Sequence, residues 1–282
     1  MSRPSVAVVG LGLMGRPAAL RLMDEGFDVR GWRRSPPEPD STRPRRCTSL
    51  ADAAAADVVL LFLPDSNAVD EVLERLDPHL LAGSIVLDMG SSKPWRSRAH
   101  ADRLAGRGVG WVDAPVSGGP QGARDGSLAI MAGGSDPDYR RVLPLLHALG
   151  PAPVRVGGPG AGHIAKLANQ TIVAVLIESV AEALALSERA GVDPRLVQRA
   201  VRGGSADCRP LQTHGSRMIE RDYEPRAHVR TLLKDLSTAR ELAERLELEL
   251  PCAERTIELL EALVDRGDGE LDIAALHALR IG

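Results

Sequence analysis

Short apolar runs alternate with amphipathic stretches through the first half of the chain. The apolar runs predict β-strands at residues 5–10, 28–32, 58–63, 84–88, 110–113, 128–132 and 153–156. Apolar positions at helical spacing predict helices at residues 16–25, 67–76 and 97–107. Alternation of this kind is typical of a parallel, doubly wound α/β sheet, because each helix carries the chain back to begin the next parallel strand.

The pattern changes after a loop rich in glycine and proline at residues 156–162. Beyond it only helical periodicity remains, so we predict a first domain over residues 1–160 and an all-α C-terminal domain over residues 161–282. The first helix of the second domain is predicted to span residues 163–190, which at ~1.5 Å per residue is on the order of 40 Å. Its length and apolar surface predict packing against a second subunit, in a homodimer or homotetramer.

A glycine-rich segment follows the first predicted strand and precedes the first predicted helix. Gly10-Leu11-Gly12-Leu13-Met14-Gly15 fits the spacing GxGxxG, whose glycines allow a tight turn, close approach of a pyrophosphate and close helix packing. The N-terminus of the following helix offers N–H groups and a positive dipole end to phosphate oxygens. The motif therefore predicts a Rossmann-type dinucleotide-binding domain; a purely structural glycine turn is the alternative.

The end of the second predicted strand distinguishes the two nicotinamide cofactors. Domains that bind NAD usually have an acidic residue there, which holds the ribose 2′-hydroxyl. This chain instead continues with Arg33, Arg34 and Ser35 and has no acid until Glu38. Because guanidinium groups match phosphate oxygens in geometry and charge, we predict that NADP(H) is preferred over NAD(H). The alternative is that the two arginines belong to an arginine-rich surface.

Composition narrows the class of protein. The 282 residues carry a formal net charge of −3 and are 44% hydrophobic, which predicts a soluble protein that binds no nucleic acid. The apolar segment 167–186 contains Glu178 and Glu182, which favours a buried helix over a membrane span. The three cysteines are too few and too widely spaced for a disulfide framework or a metal site, so we expect a cytoplasmic location and no bound metal.

Four segments resemble the β-hydroxyacid dehydrogenase family, whose members include 3-hydroxyisobutyrate dehydrogenases and reductases of small semialdehydes. They are residues 10–17, Asp113-Ala-Pro-Val-Ser-Gly-Gly119, Gly160-Ala-Gly-His-Ile-Ala-Lys-Leu-Ala-Asn169 and the pair Lys234-Asp235. They occur in the family's order and are spread over most of the chain. The resemblance implies an oxidoreductase of the 6-phosphogluconate dehydrogenase-like superfamily, which transfers a hydride between a nicotinamide cofactor, here predicted to be NADP(H) from Arg33 and Arg34, and a small β-hydroxy acid or its semialdehyde.

Lys166 and Asn169 are the expected catalytic residues. They lie three positions apart on a predicted helix and share a face, where the amine and the amide can converge on one substrate oxygen. Hydride transfer needs a matching proton transfer at that oxygen, which a lysine amine can perform and an always-protonated arginine cannot. Only three of the 35 basic residues are lysines, which supports a chemical reason for this one. A lysine that merely reaches solvent from a helix is the alternative.

The other predicted site residues contact substrate or cofactor. Ser117, Gly118 and Gly119 offer a hydroxyl and backbone N–H groups to a small-molecule carboxylate, unless they form an ordinary glycine-rich turn. By resemblance, Ser91 lies near nicotinamide and substrate and Asp235 lies in the substrate pocket, with an intrahelical surface pair as the alternative for residues 234–235. The predicted cofactor contacts are Gly10, Gly12, Leu13, Met14, Gly15, Arg33, Arg34, Ser35, Leu63, Pro64, Ser91 and Lys234.

Some positions depart from the family's pattern. Ala227 stands where relatives often have an aromatic residue and Gly90 where a serine is usual, so we expect an enlarged pocket. His163 is expected to face solvent or a backbone carbonyl.

An imine reductase-like NADPH enzyme and a non-catalytic NADPH-binding sensor are the alternative functions. Lys166 counts against the first, and the combined presence of the catalytic and carboxylate-binding residues counts against the second.

Overall fold

A computed structural model describes residues 3–34 and 44–281 of the chain. The chain divides into two compact units, Met1–Lys166 and Leu167–Gly282. The division falls within the first turns of a long helix, just after the glycine-rich loop. The domain boundary predicted between residues 160 and 161 stays a prediction.

Within the described residues, the first unit is built on a nine-stranded sheet. Its strands are β1 Val6–Val9, β2 Val29–Trp32, β3 Arg45–Arg46, β4 Val58–Leu61, β5 Ile85–Asp88, β6 Gly110–Asp113, β7 Val116–Ser117, β8 Ala129–Gly134 and β9 Val154–Gly157. The order is β3-β2-β1-β4-β5-β6-β8-β7, with β9 also paired to β8. The strands from β3 to β6 in this order are parallel, whereas β8 is antiparallel to β6 and β7. This arrangement confirms the predicted Rossmann-type doubly wound sheet.

Helices cover both faces of the sheet. They are α1 Gly15–Asp24, α2 Leu50–Ala54, α3 Ser66–Leu76, α4 Pro94–Ala105, α5 Gly119–Asp125 and α6 Asp136–Leu149. Val6 and Val8 of β1 lie in an apolar cluster with residues of α1, α5 and α6, whereas Ala7 and Val9 lie in a second cluster with residues of α2, α3 and α4. Because both faces are buried, the central strands are continuous apolar runs.

The strand order reverses beside β1, which pairs with β2 on one side and with β4 on the other. Ligands of open α/β sheets bind beyond the carboxyl ends of the strands at such a point. Because β1, β2, β4 and β5 are parallel, the segments that follow them leave from one edge of the sheet. These segments begin at Gly10, Arg33, Phe62 and Met89.

The second unit is helical, as predicted for this part of the chain. Its helices are most of α7 Ala161–Arg189, then α8 Pro194–Ala200, α9 Ser216–Glu220, α10 Val229–Arg245, α11 Pro251–Asp265 and α12 Ala278–Ile281. Ile177, Leu184, Leu236 and Leu260 lie in its core. Among the described helices, α7 alone is long and apolar enough to cross a membrane by length and composition, a test that a buried core helix also passes.

All strands and helices predicted in the first unit are present, with ends shifted by a few residues, but several further elements were missed. They are β3, β7, α2, α5 and α6. β3 and β7 contain two residues each, too few to show a period of two. α5 begins with Gly119 and Pro120, residues that usually end helices and that hide its pattern. α6 keeps apolar residues at helical spacing, Val142, Leu145, Leu146 and Leu149, and was overlooked in spite of that signal.

The three cysteines, all within the described ranges, are free thiols. Cys47 follows β3 and is fully buried in the second apolar cluster. Burial is the largest of the effects that raise the pKa of its thiol to about 11. Cys252, on α11, is exposed, and Cys208 is half-buried.

Candidate active site

The glycine loop between β1 and α1 contains three glycines with different constraints. Gly10 has a φ of +99°, and a Cβ there would clash with the carbonyl oxygen of Phe62. Gly15 approaches the loop so closely that a Cβ would clash with the carbonyl oxygen of Gly10. A Cβ at Gly12 would meet no described atom within 4 Å. The fold therefore requires glycine at positions 10 and 15, whereas Gly12 leaves open space at the loop.

α1 begins behind this loop without a cap. No described side chain caps its N-terminus at Met14, and the first turn of this helix, which is described in full, contains no acidic residue. Leu13 is exposed beside it. Uncapped N–H groups at the positive end of a helix dipole favour an anion. The uncapped helix and the space at Gly12 together fit the pyrophosphate of a dinucleotide cofactor.

A groove runs beside the loop and is lined by the end of β2, by residues that follow β1, β2 and β4, and by residues of α3. The lining residues are Gly10, Leu11, Gly12, Trp32, Arg33, Arg34, Phe62, Leu63, Pro64, Ala68, Glu71, Val72 and Arg75. The groove thus brings together predicted cofactor contacts from three separate segments of the chain. Ser35, a further predicted contact, lies outside the described residues.

The groove carries three arginines and one glutamate. The guanidinium carbon of Arg75 lies 5.8 Å from the centroid of the Trp32 ring, a cation–π distance. Nη1 of Arg34 lies 3.9 Å from Oε2 of Glu71, and both side chains are exposed, so this pair is weak. Sequence reasoning missed Arg75, because no motif marks it and only folding brings α3 to the groove.

Two buried aspartates end neighbouring strands. Asp88 ends β5 and Asp113 ends β6, and the two residues are partners in the parallel register. Oδ1 of Asp88 accepts a hydrogen bond from the Gly90 N–H at 3.0 Å, within the loop that continues to half-buried Ser91. Burial is the largest effect on Asp113 and raises the pKa of its carboxyl.

His163 is buried, so the expectation that it faces solvent or a carbonyl was wrong. The residue is 1% exposed, with its Nε2 3.6 Å from Oδ2 of Asp88 and its Nδ1 3.7 Å from Oδ2 of Asp113. α7 already begins at Ala161, and its first turn lies against the ends of β5 and β6. No local sequence pattern reports a contact between residues so far apart in the chain.

Lys166 is half-buried on α7 and contacts the strand that leads to the predicted carboxylate-binding residues. Its Nζ donates a hydrogen bond to the carbonyl oxygen of Val116 at 2.8 Å. Ser117 follows Val116 directly, and Gly118 and Gly119 have φ values of +133° and +65°. The amine therefore lies beside residues 117–119, which the sequence assigned to the same site.

Three predicted site residues of the second unit form one chain of polar contacts. Nδ2 of Asn169 donates to Oε1 of Gln170 at 3.0 Å, and Nε2 of Gln170 donates to Oδ2 of Asp235 at 2.7 Å. Oδ1 of the buried Asp235 lies 3.1 Å from Nζ of Lys234. Gln170, which links them, was missed, although it directly follows the motif that ends at Asn169.

The segment before α10 is anchored by Asp272, a fully buried residue. Oδ2 of Asp272 accepts a hydrogen bond from the Ala227 N–H at 2.9 Å and lies 2.7 Å from Nη1 of Arg217. His214 lies close by, with its Nδ1 3.6 Å from Oδ1 of the same carboxylate. Ala227 thus lies in a bend before α10, which begins at Val229, and not on the helix itself.

Family models match both parts of the chain. The model of the NAD binding domain of 6-phosphogluconate dehydrogenase matches residues 5–158. The model described as NAD-binding of NADP-dependent 3-hydroxyisobutyrate dehydrogenase matches residues 160–279. Together the two matches extend over nearly the whole chain.

Individual relatives agree with these matches. The 2-hydroxy-3-oxopropionate reductase of Escherichia coli (strain K12) is 38% identical over 275 residues, which cover 95% of this chain and 94% of that protein. A solved 3-hydroxyisobutyrate dehydrogenase from Salmonella typhimurium is 26% identical with a TM-score of 0.87 and covers 98% of this chain and 99% of its own. That of Mycobacterium tuberculosis, solved with L-serine, is 25% identical with a TM-score of 0.87 and covers 99% of both chains. The chain therefore belongs to the β-hydroxyacid dehydrogenase family.

Proposed function

We propose that the protein is an NADP(H)-dependent oxidoreductase that interconverts a small β-hydroxy acid and its semialdehyde, with Lys166 as general acid and base. The observation that carries the proposal is the position of the Lys166 amine, 2.8 Å from the Val116 carbonyl oxygen and beside residues 117–119. An amine that can exchange a proton thus lies next to backbone that can bind a carboxylate. These are the two groups that a β-hydroxy acid requires of the protein.

The chain's own part in the reaction is a proton transfer. The nicotinamide, when bound, supplies or accepts the hydride. Lys166 donates a proton to the carbonyl oxygen in reduction and accepts the hydroxyl proton in oxidation, a contribution of ~10²- to 10⁴-fold for a well-placed group. Asn169, one helical turn further along α7, presents an amide that can hold the same oxygen.

Residues 117–119 support binding of the substrate carboxylate. Gly118 and Gly119 both have positive φ values, so their backbone adopts a conformation that side-chain-bearing residues avoid. Successive backbone N–H groups in a turn can form a concave nest that binds anions. The Ser117 hydroxyl adds a further donor.

The named substrates of relatives support a short acid. The relative that is 38% identical is named for 2-hydroxy-3-oxopropionate, an aldehyde acid with three carbon atoms. One solved relative was determined with L-serine, a β-hydroxy acid of the same length. Ala227 is the reason to test longer substrates as well, because a small side chain at a pocket wall admits more atoms.

The groove supports NADP(H) over NAD(H). Arg33, Arg34 and Arg75 line it and can pair with a 2′-phosphate, for which guanidinium groups are suited. Glu71 is the one acid among the lining residues and lies on α3, not at the end of β2. The matched model of the second unit is described for an NADP-dependent enzyme.

The test is the rate of NADPH and NADH oxidation over a panel of aldehyde acids and one cyclic imine. The panel contains glyoxylate, tartronate semialdehyde, methylmalonate semialdehyde and succinic semialdehyde. Wild type is compared with Lys166→Ala and Lys166→Arg, since arginine keeps the positive charge but cannot give up its proton. We expect turnover of an aldehyde acid with NADPH preferred, and a loss of ~100-fold or more in both variants.

Two other results would each contradict the proposal. Full activity of Lys166→Arg would exclude acid–base catalysis by this residue, because only the charge would then matter. If no aldehyde acid is turned over although NADPH binds tightly, reduction of the cyclic imine would favour the imine reductase-like enzyme. If the imine is not reduced either, a non-catalytic sensor would be favoured.

A further inference from the structure

The first unit contains a buried cluster of three titratable side chains that the proposed reaction does not use. Asp88 and Asp113 are 0% exposed, and His163 between them is 1% exposed. Each belongs to a different element, β5, β6 and α7. All three of these elements lead directly to residues of the proposed active site.

Asp113 holds the start of α7. Its Oδ1 accepts a hydrogen bond from the Gly160 N–H at 2.7 Å, and its Oδ2 accepts one from the His163 N–H at 3.0 Å. The carboxylate of Asp113, at the end of β6, therefore caps α7 and interacts favourably with the positive end of the helix dipole. The Lys166 bond to Val116, shortly after Asp113, joins the same two segments a second time.

Asp88 holds the loop after β5. Its Oδ1 accepts the hydrogen bond from Gly90, while its Oδ2 points to the imidazole of His163 at 3.6 Å. Within residues 3–34 and 44–281, this Oδ2 and both imidazole nitrogens have no hydrogen-bond partner. The imidazole thus faces one carboxylate with each nitrogen, at distances of 3.6 and 3.7 Å.

Two buried carboxylates on neighbouring strands repel each other unless a donor or cation lies between them. In this cluster His163 lowers the pKa of Asp113 while Asp88 raises it, after the larger effect of burial. A side chain without nitrogen at position 163 would leave both carboxylates facing an apolar group, at a high desolvation cost. The neighbouring segments would then have to move to reach other donors or water.

We propose, building on the proposed function, that His163 is a positioning residue that bridges Asp88 and Asp113 and thereby fixes the Lys166 amine against β7. Its imidazole connects the loop after β5, the end of β6 and the first turn of α7. A shift of about 1 Å in a reacting group can cost ~100-fold in rate, so small movements of this turn matter. His163 itself touches neither substrate nor cofactor in this role.

The kinetic test compares His163→Phe, which keeps the ring shape without nitrogen, with His163→Gln, which keeps an N–H donor. We expect His163→Phe to lower kcat ~10- to 100-fold while KM and the NADPH Kd change less than about threefold. His163→Gln is expected to restore most of the lost kcat. His277→Phe is the matched control, because His277 is also 1% exposed but lies in the second unit.

A second readout needs no turnover and follows Lys166 directly. The chain has only three lysines, so trace acetylation of the cofactor-free protein can be assigned by mass spectrometry, with Lys93 and Lys234 as internal references. In wild type the half-buried, hydrogen-bonded amine is shielded. We expect the Lys166-to-Lys93 labelling ratio to rise at least about threefold in His163→Phe, because the released side chain becomes exposed. The ratio is expected to stay at the wild-type value in His277→Phe.

The outcomes separate this inference from the proposed function. An inactive wild type would overturn the proposed function, while the labelling ratio would still test the positioning role. Wild-type kcat or a wild-type labelling ratio in His163→Phe would overturn the inference alone. If His163→Phe does not fold, His163→Leu replaces it, since this smaller apolar side chain also removes both ring nitrogens. The same rise in Lys166 labelling is expected there, and an unchanged ratio would overturn the inference.

Discussion

Cofactor preference is decided by single charged side chains at the rim of the groove. Arg34 is 82% exposed in its side chain, and its contact with Glu71 is weak, so its guanidinium is available to a phosphate. We expect Arg34→Ala to raise the Kd of NADPH ~10-fold, the scale of one hydrogen bond to a charged group, and that of NADH less than about twofold. Fluorescence titration of both cofactors measures this difference.

Arg140→Ala is the matched control, since Arg140 is 75% exposed and lies on α6, away from the groove residues. It should leave both affinities unchanged. Equal weakening of NADPH and NADH by Arg34→Ala would show that this arginine does not distinguish the 2′-phosphate. Arg75→Ala then becomes the next variant, because its guanidinium lines the same groove.

Two glycines of the glycine loop serve different purposes: the fold requires Gly15, whereas we expect cofactor binding to require Gly12. At Gly15 an added Cβ clashes with the Gly10 carbonyl, whereas at Gly12 it meets no described atom within 4 Å. We expect Gly15→Ala to lower the Tm of the cofactor-free protein by about 3–10 °C. Gly12→Ala should leave that Tm nearly unchanged and raise the NADPH Kd ~10-fold or more, because the methyl group occupies the space for the pyrophosphate.

Thermal unfolding without cofactor and NADPH titration of the two variants form one matched experiment. Gly15 is the first residue of α1, where the higher helix propensity of alanine would raise the Tm, so a fall in Tm for Gly15→Ala must come from the clash. A large fall in Tm for Gly12→Ala, or unchanged NADPH affinity, would mean that Gly12 serves the fold and not the cofactor.

The segment before α10 makes the helical unit sensitive to acid. Burial alone would raise the pKa of Asp272, but His214, the N–H groups of Ala274 and Ala227, and Arg217 outweigh it and hold the pKa well below its usual range. A carboxyl with a lowered folded-state pKa contributes stability above its unfolded pKa and loses that stability as pH falls through the folded value. We therefore expect the Tm of the wild-type protein to decrease when the pH is lowered below about 4.

Asp272→Asn should be less stable than wild type at pH 7, because buried Arg217 loses one of its two charge partners and keeps only Asp222. Its Tm should then fall less steeply than that of wild type between about pH 5 and 3. Asp265→Asn is the control, since Asp265 is an exposed residue at the end of α11 in the same unit. An equally steep acid loss in Asp272→Asn would mean that other carboxylates carry this sensitivity.

The long elements of the whole molecule could be predicted from the sequence because burial on both faces made the central strands continuous apolar runs. The helical second part was also predictable, since its periodicity lacks the short β-branched runs. Elements of two residues are too short to leave a periodic signal.

The site residues that could be predicted from the sequence are those that belong to motifs of a few consecutive residues. The glycine loop, the segment with Ser117 and the segment with Lys166 each carry their signal within a few residues. Arg75 and Gln170 carry none, because their roles arise from which elements meet in the fold. His163 shows the same limit, since its two carboxylate partners are 75 and 50 positions away in the chain.

We further propose that the molecule assembles as a homodimer or homotetramer through α7. Ile172 and Leu186 on this helix are 60% and 73% exposed, and both are large apolar side chains that a second copy of the chain could cover. Light scattering at low micromolar concentration should give at least twice the chain mass for wild type. Leu186→Glu should shift the mass toward that of a single chain, whereas Leu81→Glu, at an exposed leucine of the first unit, should not. A monomeric wild type would contradict the proposal.

The burial of Cys47 decides where a thiol-directed dye attaches. Only the thiolate reacts quickly with a maleimide, and a thiol with a pKa of about 11 is almost entirely protonated at neutral pH. Cys252 is exposed on α11, and Cys208 also belongs to the second unit. The native chain therefore accepts a fluorophore on its helical unit alone, which gives an optical signal from that unit without any engineered cysteine.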